Sequence, residues 1–406
     1  MKNLADHDSF VDGVPHETFA QMRNDAPVHW TEAYGGDKGF WSLTRYADIM
    51  AGQRDPDTFS SAQGIRIEDQ SREEYLARRT FQETDPPEHT ATRRTVNPAF
   101  AKPVVAQFEP LIRDLACDIV STALDHAEFD GVAHIAKRLP MLMLGRILGV
   151  PDADLDWLVE RGDALIGNTD PDFTDTVLDK VNTDAYRMMP FRSPAGVELY
   201  DYAQDILDGA RGVDPDGILA RVLNSPDGRI AGQDFKNFFC LLVAAGNDTT
   251  RYSIAMALWL IAQDNRLLDV LASGKVWGTA ADEVIRLASP TLHFRRTATR
   301  DVDMHGARIR AGDKVLMWFV SGNRDADAFD APDNVMLDRS PNRHMAFGQG
   351  GPHVCLGMWL AKLEVTAVLQ ELSARLSGLE AVAQPTWTRS NFICGVKSLT
   401  LRPKLK

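Results

Sequence analysis

Residues 347–357, which read FGQGGPHVCLG, decide how this chain is interpreted. Cys355 lies where a glycine-dense loop meets a helix predicted over residues 356–376. A helix N-terminus carries positive potential and unpaired N–H groups, so we expect a lowered pKa and a thiolate at Cys355. The glycines let the backbone approach a flat cofactor, and Phe347 can shield the sulfur from water. The loop therefore predicts a thiolate that ligates a metal.

A lone thiolate in this setting favours haem over the other sites that such a loop could form. A zinc site needs three more Cys or His ligands at suitable spacing, and the sequence offers none, whereas haem supplies four nitrogens itself. A phosphate-binding loop is disfavoured because GQGGPH lacks the third glycine of GxGxxG and no βαβ unit follows. The three remaining cysteines are interpreted as core residues: Cys117, Cys240 and Cys394.

Composition excludes several broad classes of protein. The 406 residues include 44 Lys plus Arg against 57 Asp plus Glu, a formal charge of −13, which argues against a general nucleic-acid binder. With 44% hydrophobic residues the chain can bury a large core, so general disorder is excluded. Four scattered cysteines make no disulfide framework, and the polar start at residues 1–10 is not a secretion signal, so we expect a cytoplasmic protein.

The longest apolar stretch, residues 238–262, is predicted to be a helix through the centre of the fold. Its length would span a bilayer, but the polar run from Asp248 to Arg251 interrupts its middle. We therefore expect no membrane association.

Helical periodicity dominates the rest of the chain. Helices are predicted over residues 15–25, 46–54, 110–127, 139–148, 152–167, 195–211, 234–264, 280–288 and 356–376. Strands are predicted over 39–44, 294–299, 305–309, 314–319 and 396–402. In the last helix an apolar face is predicted toward the core, formed by Leu356, Leu360, Leu363 and Ala367. No linker or repeat divides the chain, so the prediction is one domain over 1–406, mainly α with small, mostly antiparallel sheets.

The loop and three further segments, in the same order along the chain, resemble the cytochrome P-450 superfamily of haem-thiolate monooxygenases. The segments are AGNDTT at 245–250, similar to the acid–alcohol motif of a long central helix, EVIR at 283–286, similar to a Glu-x-x-Arg pair, and DPPEH at 85–89 with Arg93. The resemblance covers residues from about 40 to the end. It implies the P-450 fold, with haem between the central helix and the cysteine loop.

The loop departs from the family pattern in one respect. Phe347 stands eight positions before Cys355, one more than usual, and the extra residue falls within residues 350–352. The path of the loop before His353 is therefore open. Similar lengthened loops occur among bacterial members that act on sterols, terpenoids and branched lipids.

The resemblance implies a set of haem-binding residues. Cys355 would be the axial iron ligand, with Phe347 and Gly357 in the same loop, and the cofactor would be haem b. The implied partners of the haem propionates are His89, Arg93, Arg296 and His353. Arg295 is the alternative to Arg296, which we prefer because residues 297–299 follow it with the family's spacing.

Further roles are implied along the central helix and near the C-terminus. Asp248 and Thr249 would deliver protons to bound oxygen, and Gly246 would let the helix bulge to admit it. Substrate contacts are expected from Leu241, Ala244, Ala245, Leu292 and Phe392, with His293 a polar candidate that more simply fits a structural histidine. Glu283 and Arg286 share a helix face, and the resemblance adds Arg339 to a buried network that serves folding.

These expectations combine into a monooxygenase that inserts one atom of O2 into an apolar small molecule, such as a terpenoid, steroid, branched lipid or alkylaromatic. No flavin or nicotinamide domain fits in the chain, so electrons would pass from NAD(P)H through a ferredoxin reductase and a ferredoxin. A basic docking patch is hypothesised at Arg93, Arg94 and Lys362. We expect a monomer. The alternatives are a peroxide-driven peroxygenase, which has less need of Asp248 and Thr249, and a non-catalytic haem gas sensor.

Overall fold

Helices make up most of the regular structure in the computed structural model, which describes residues 1–225, 228 and 230–406. The α-helices are α1 (His16–Asp25), α2 (Tyr46–Arg54), α3 (Arg72–Arg78), α4 (Glu88–Val96), α5 (Lys102–Val105), α6 (Glu109–Leu124), α7 (Arg138–Leu148), α8 (Leu155–Ile166), α9 (Pro194–Leu207), α10 (Ile218–Leu223), α11 (Gln233–Gln263), α12 (Arg266–Ala272), α13 (Ala280–Ala288), α14 (Phe319–Gly322) and α15 (Met358–Arg375). A π-helix, Val132–Ala136, precedes α7.

The strands form small sheets at the edges of the helical body. They are β1 (Val28–Thr31), β2 (Phe40–Leu43), β3 (Phe59–Ser60), β4 (Phe129–Asp130), β5 (His293–Ala298), β6 (Val302–Met304), β7 (Ala307–Ile309), β8 (Lys314–Trp318), β9 (Leu376–Ala381), β10 (Thr386–Trp387), β11 (Val396–Ser398) and β12 (Thr400–Leu405). The largest sheet has the order β1-β2-β8-β5-β3, and another has the order β4-β12-β9. Only β2 and β8 pair in parallel among the described strands, so the prediction of mostly antiparallel sheets is confirmed.

The central helix is α11, a continuous run of 31 residues that packs on α7, α8, α9, α13 and α15. Its polar middle is buried because those groups find partners. Arg251 pairs with Asp248 one turn earlier and with Asp163 of α8, whose Oδ1 lies 2.8 Å from Nη2. Pairing of this kind lets charged residues occupy the middle of an apolar helix. No helix in the described ranges is long and apolar enough to cross a membrane.

Apolar periodicity located two nine-residue helices correctly at both ends, missed another of the same length and misplaced both ends of a longer one. The predictions over 46–54 and 280–288 match α2 and α13 residue for residue. The polar helix α4, with the sequence EHTATRRTV, carries too little apolar periodicity to be found, and it was missed. The prediction over 356–376 ran too far at both ends, since α15 begins at Met358 and Leu376 opens β9.

The apolar face predicted for the last helix divides into two parts. Leu356 and Leu360 line a cavity. The residues buried deepest in the core come later in the helix and are Val365, Val368, Leu369 and Leu372. The apolar pattern reported burial correctly, but it could not distinguish a core from a cavity wall.

Candidate functional site

One cavity is lined both by α11 and by the cysteine loop. From α11 it receives Leu241, Ala244, Ala245, Gly246 and Thr249. From the loop it receives Phe347, Gly348, His353, Cys355 and Gly357. Segments that are separated by about a hundred positions in the sequence therefore meet at one site, as the order of the motifs predicted.

The cysteine loop holds the thiol at the start of α15. Cys355 N donates to the carbonyl oxygen of Phe347 at 2.9 Å. Burial raises the pKa of the Cys355 thiol, and the N–H of Gly357, the guanidinium of Arg93 and the N–H of Met358 oppose that change without outweighing it. The expected lowering of this pKa is therefore not found for the chain by itself, although the Cys355 side chain is exposed to the cavity. A coordinated metal ion deprotonates a thiol outright, so the site still suits a metal.

Glycines accommodate the extra loop residue against α2. Gly350 has φ +109°, a left-handed conformation that side chains rarely adopt. A Cβ at Gly351 would collide with the carbonyl oxygen of Gln53 in α2. The lengthened loop is therefore packed against α2, which settles the path of the backbone before His353.

A second group of residues, here called the histidine cluster, consists of His89, His353 and Arg296. The rings of His89 and His353 lie 4.1 Å apart between centroids, and both line the cavity. Burial and nearby arginines lower the pKa of His89 to about 4 and that of His353 to about 2, so both rings are neutral at pH 7. His353 contacts Ser61 Oγ at 3.2 Å, whereas neither ring nitrogen of buried His89 has a partner among the described residues.

Strand alternation decides between the two arginines of β5. Burial lowers the pKa of Arg296 to about 10, and its charge acts on both His89 and His353. Its Nη1 donates to the carbonyl oxygen of Arg295 at 2.8 Å. Arg295 contacts a different region, with Nη1 3.2 Å from the carbonyl oxygen of Glu68 and 4.0 Å from Asp69 Oδ1. The geometry therefore supports Arg296, the preferred candidate.

Arg93 supports the loop as well as lining the cavity. It donates to the carbonyl oxygens of Pro352, at 3.1 Å, and of Val354. The guanidinium thus fixes the backbone on either side of His353.

The acid–alcohol pair is divided between the cavity and the interior. Thr249 lines the cavity and its hydroxyl donates to the carbonyl oxygen of Ala245 at 3.1 Å. Asp248 is buried, pairs with Arg251 and accepts from Asn247 Nδ2 at 3.3 Å. Asp248 is absent from the described cavity lining, so it can act on the cavity only by a movement of its side chain or through water.

The predicted bulge at Gly246 was wrong, because α11 remains α-helical through this position. The glycine has another purpose there. A Cβ at Gly246 would lie 2.6 Å from Leu144 Cδ1, so the absence of a side chain permits the close approach of α7.

Four of the five residues expected to contact substrate line the cavity. Leu241, Ala244, Ala245 and Phe392 line the cavity. Leu292 does not lie in the described lining; it packs instead in the core beside Trp318. The lining also includes residues that no sequence pattern singled out, among them Ile65, Arg66, Phe81, Arg78, Phe191 and Ile393. They come from loops and short helices, which carry no periodicity.

The predicted buried network is present and is here called the glutamate cluster: Glu283, Arg286, Arg339 and Asn342. Arg286 donates Nε and Nη2 to the two carboxylate oxygens of Glu283, each at 2.8 Å. Arg339 Nε lies 3.0 Å from Glu283 Oε2, and Asn342 Nδ2 donates to the same oxygen at 3.0 Å. Burial would raise the pKa of Glu283, but the hydrogen bonds and charge of Arg286 outweigh it and lower that pKa.

The hypothesised docking patch is largely absent. Lys362 Nζ is paired with Asp282 Oδ1 at 2.7 Å, and Arg93 is committed to the loop carbonyls. Only Arg94 of the three is exposed. The prediction was wrong for Lys362 because a nearby carboxylate, not visible in the local sequence, neutralises it.

The residues around the cavity fit a haem group. A thiol lies in the wall, beside two N–H groups that lower its pKa. Both ring nitrogens of buried His89 lack a hydrogen-bond partner among the described residues, and buried Arg296, on which the charge of Asp85 acts, forms no ion pair there, which suits the propionates of haem. The α11 wall is apolar around Thr249, as a cofactor that binds and activates O2 requires.

Comparisons with known proteins agree with this site. A family model described as Cytochrome P450 matches residues 279–379. A Mycobacterium tuberculosis protein named as cytochrome P450 126 is 35% identical over 98% of this chain and 96% of its own length. The methyl-branched lipid omega-hydroxylase of Mycobacterium tuberculosis is 32% identical over 96% of this chain and 91% of its own.

A solved structure extends the agreement to the fold. A cytochrome P450 from Mycobacterium marinum in complex with pseudoionone matches 95% of this chain and 94% of its own, with a TM-score of 0.86 and 34% identity. The expected fold and cofactor are therefore confirmed, and the alternative of a non-catalytic haem protein is not supported. The relatives and the shared fold therefore show that the chain belongs to the cytochrome P450 family, the haem-thiolate monooxygenases that use haem b.

Proposed function

We propose that Cys355 is the thiolate ligand of the haem iron in this monooxygenase and that oxygen insertion takes place against the wall formed by Ala245 and Thr249. The observation that carries the proposal is that all three residues line one cavity. When bound, thiolate-ligated haem supplies the activation of O2 that allows one oxygen atom to enter a C–H bond.

The chain's own residues bind and orient that group. His89, His353 and Arg296 hold the propionates, and Arg93 fixes the loop that carries Cys355 through Pro352 and Val354. Phe347 lines the cavity beside the sulfur and excludes water from it. A desolvated thiolate with N–H donors is thereby kept in one position.

Reduced protein treated with carbon monoxide tests the ligand directly. We expect the Soret shift typical of thiolate ligation in the wild type and in Cys394→Ala, whose sulfur is buried away from the cavity. Cys355→Ala should lose that shift. A thiolate-type shift that survives in Cys355→Ala would exclude the assignment.

Protons reach the cavity through Thr249 and Asp248. The Thr249 hydroxyl stands in the wall, and it accepts a proton from water and passes it on. When its carboxylate leaves Arg251, Asp248 takes up a proton from water on the interior side and gives it to water beside the Thr249 hydroxyl. In this way a proton enters while the apolar wall keeps bulk water out.

Thr249→Ala should continue to consume electrons and O2 but release hydrogen peroxide in place of hydroxylated product. Thr249→Ser, which keeps the hydroxyl, is the matched control and should stay coupled. If Thr249→Ala converted the same fraction of consumed electrons into hydroxylated product as the wild type, the proposed proton path through Thr249 would be contradicted. Full turnover with hydrogen peroxide alone, at the rate seen with reductant, would favour the peroxygenase alternative.

The substrate is an apolar molecule with a branched hydrocarbon portion, in the class of terpenoids, steroids and branched lipids. The cavity lining offers Ala244, Ala245, Leu241 and Phe392. Such a surface binds by burial of apolar area and leaves the reacting carbon unconstrained by polar contacts. The names of a relative and of a solved neighbour, a methyl-branched lipid hydroxylase and a pseudoionone complex, support the same class.

A ferredoxin-type protein delivers the electrons, in a cytoplasmic system fed by NAD(P)H. Exposed Arg94 follows Arg93 on α4, and exposed Lys102 lies 4.6 Å from the ring of Trp359, near the start of α15. These cations attract an acidic donor to the side of the fold that carries Cys355. Arg94→Glu should slow reduction at low salt and have little effect at high salt, whereas Arg308→Glu, on β7, should change neither. If the reduction rate of the wild type did not depend on salt concentration, the proposed docking surface at Arg94 and Lys102 would be contradicted.

A further inference from the structure

Part of the cavity wall is charged, in contrast to the apolar wall near Cys355. This polar section comes from residues 66–83 and from the turn before α9. Its members that line the cavity are Arg66, Glu68, Gln70, Arg78, Glu83 and Arg192. Charged groups in a cavity that holds an apolar substrate require an explanation, because their desolvation is costly unless something binds them.

Two of the three arginines have carboxylate partners in the chain. Arg66 Nη2 lies 2.6 Å from Glu68 Oε1, and Arg192 Nη2 lies 2.8 Å from Glu74 Oε1. Burial acts to raise the pKa of Glu68, but the charge of Arg66 and of His7 outweighs it and lowers the pKa to about 2. Both arginines therefore have a counter-ion in the chain, although the Nε of each has no hydrogen-bond partner among the described residues.

Arg78 has no such partner. Its Nε and Nη2 donate to the neutral Gln70 Oε1, at 3.2 and 2.9 Å, and it forms no ion pair within the described part of the chain. Glu83 is nearby, but burial raises the pKa of that carboxyl, which weakens it as a counter-ion. A guanidinium stays charged under these conditions, so the cavity wall contains a cation that is hydrogen-bonded to a neutral amide, while the charges of Glu74 and Glu83 act on it from beyond ion-pair distance.

The surrounding residues present Arg66 to the same space. Its guanidinium carbon lies 4.7 Å from the centroid of Phe191 and 5.3 Å from that of Phe392, and both rings line the cavity. The buried Nε of Arg66 has no hydrogen-bond partner in the described residues. Phe191 and Arg192 adopt φ values of 57° and 50°, which are unusual for residues with side chains and are typical of functional sites.

We propose that the substrate carries a carboxylate at one end and that Arg78, with Arg66 beside it, binds this group while the apolar body extends toward Cys355. The inference rests on the proposed function and adds the chemistry of the substrate's far end. The carboxylate replaces Gln70 Oε1 as the acceptor for Arg78, with the two-pronged geometry that guanidinium and carboxylate share. Oxidation then falls on the apolar part of the molecule, remote from the acid.

The orientation follows from the two walls of the cavity. A carboxylate in the wall of Ala244 and Ala245 would lose its hydration without compensation, whereas the polar section offers Arg78. Binding of the substrate carboxylate at Arg78 fixes how far the hydrocarbon part of the substrate reaches toward Cys355. The length and branching of the acid would therefore set the position of oxygen insertion.

The test uses the haem-loaded enzyme and a series of medium- and long-chain fatty acids, straight and methyl-branched, each paired with its methyl ester. Dissociation constants come from the low-spin to high-spin shift of the Soret band. We expect the wild type to bind at least one acid about tenfold to a hundredfold more tightly than its ester, the range of a charge-assisted hydrogen bond. Arg78→Gln should lose that preference and leave ester affinity unchanged, and Arg78→Lys should retain part of it.

Arg79→Gln is the matched control, since Arg79 pairs with Glu88 at 2.9 Å and lies outside the described cavity lining. It should bind acids and esters like the wild type. Equal affinity of the wild type for acid and ester, a preference that persists in Arg78→Gln, or the absence of a spin shift with any acid would overturn the proposal. The carbon monoxide spectrum and the coupling of Thr249→Ala are independent of these outcomes, so failure here is distinguishable from failure of the proposed function.

Discussion

The glutamate cluster and the histidine cluster are both buried and rich in cations, yet they differ in what completes them. In the glutamate cluster, Glu283 accepts from Arg286, Arg339 and Asn342, and all of these donors belong to the chain. In the histidine cluster, both nitrogens of His89 lack hydrogen-bond partners among the described residues, and Arg296 donates to a neighbouring carbonyl and forms no ion pair there, although the charge of Asp85 acts on it. The glutamate cluster has its donors and acceptor within the fold. The histidine cluster has polar groups left over, and we expect them to bind the haem propionates.

This difference separates two roles that look alike in sequence. Arg286 and Arg296 are both arginines in a regular element, and both are nearly fully buried. Only the partners tell them apart, because a buried charge is stable where an anion meets it. Substitution in the glutamate cluster should therefore affect folding with or without haem, whereas substitution in the histidine cluster should affect the retention of haem.

The largest effect is expected for Glu283→Gln. The change leaves the buried guanidinium groups of Arg286 and Arg339 without their carboxylate, and breaking such a pair costs about 3–5 kcal/mol of unfolding free energy. Urea unfolding of the haem-loaded protein measures it. Glu109→Gln removes the exposed pair with Arg113 and should cost no more than about 0.5 kcal/mol. If both variants lost the same small amount, the glutamate cluster would not be the stabilising unit described here.

Arg296→Met should act on haem more than on the fold. Removing the guanidinium takes away a charge-assisted contact to a propionate, and we expect haem transfer to apomyoglobin to be about tenfold to a hundredfold faster. Without haem, unfolding free energy should be unchanged or higher, because a buried guanidinium that forms no ion pair among the described residues has been replaced by an apolar group.

Arg295→Met sharpens the same comparison from the adjacent position of β5. Its contacts are with Glu68 and Asp69, outside the histidine cluster. Its loss should lower the free energy of unfolding and leave the rate of haem transfer near that of the wild type. If Arg295→Met sped haem transfer and Arg296→Met did not, Arg295 would be the propionate ligand and Arg296 the structural arginine.

Local sequence motifs predicted the two clusters unequally. Glu283 and Arg286 are three positions apart on a helix, so their pairing follows from helical geometry alone. Their link to Arg339, more than 50 positions away, came only from family resemblance, and the structure confirms the contact. For the cavity, Cys355 and Thr249 were found from motifs, but Arg66, Arg78 and Phe191 were not. Those residues lie on short or irregular segments whose meeting point is decided by tertiary packing.

Environment was harder to predict than position. The helix N-terminus suggested a lowered pKa at Cys355, and burial reverses that direction. Leu292 has the apolar character of a substrate contact but packs in the core, because apolar residues serve both environments. Lys362 has the charge of a docking residue, yet Asp282 neutralises it. Each error concerns a neighbour that is distant in the sequence.

At neutral pH the smallest expected effect concerns His293, a buried imidazole that belongs to neither cluster. Its ring lies 4.5 Å from that of Trp318, and neither nitrogen has a hydrogen-bond partner in the described residues. Burial lowers its pKa from 6.5 to about 3. It does not appear in the described cavity lining, so a missing partner is not by itself the mark of a ligand site.

Because the folded pKa of His293 lies below the unfolded value, the unfolded chain takes up the proton first as pH falls. This group therefore costs no stability above about pH 6.5 and costs up to about 1.4 kcal/mol per pH unit from there down to about pH 3. His293→Phe keeps a ring beside Trp318 and removes the titration, so its unfolding free energy should fall less steeply below pH 6.5 than that of the wild type. Replacement of exposed His126 controls for the loss of an imidazole. Parallel curves for the wild type and His293→Phe would mean that His293 finds a partner for its proton, and the contrast between paired and unpaired buried groups would then rest on the histidine cluster alone.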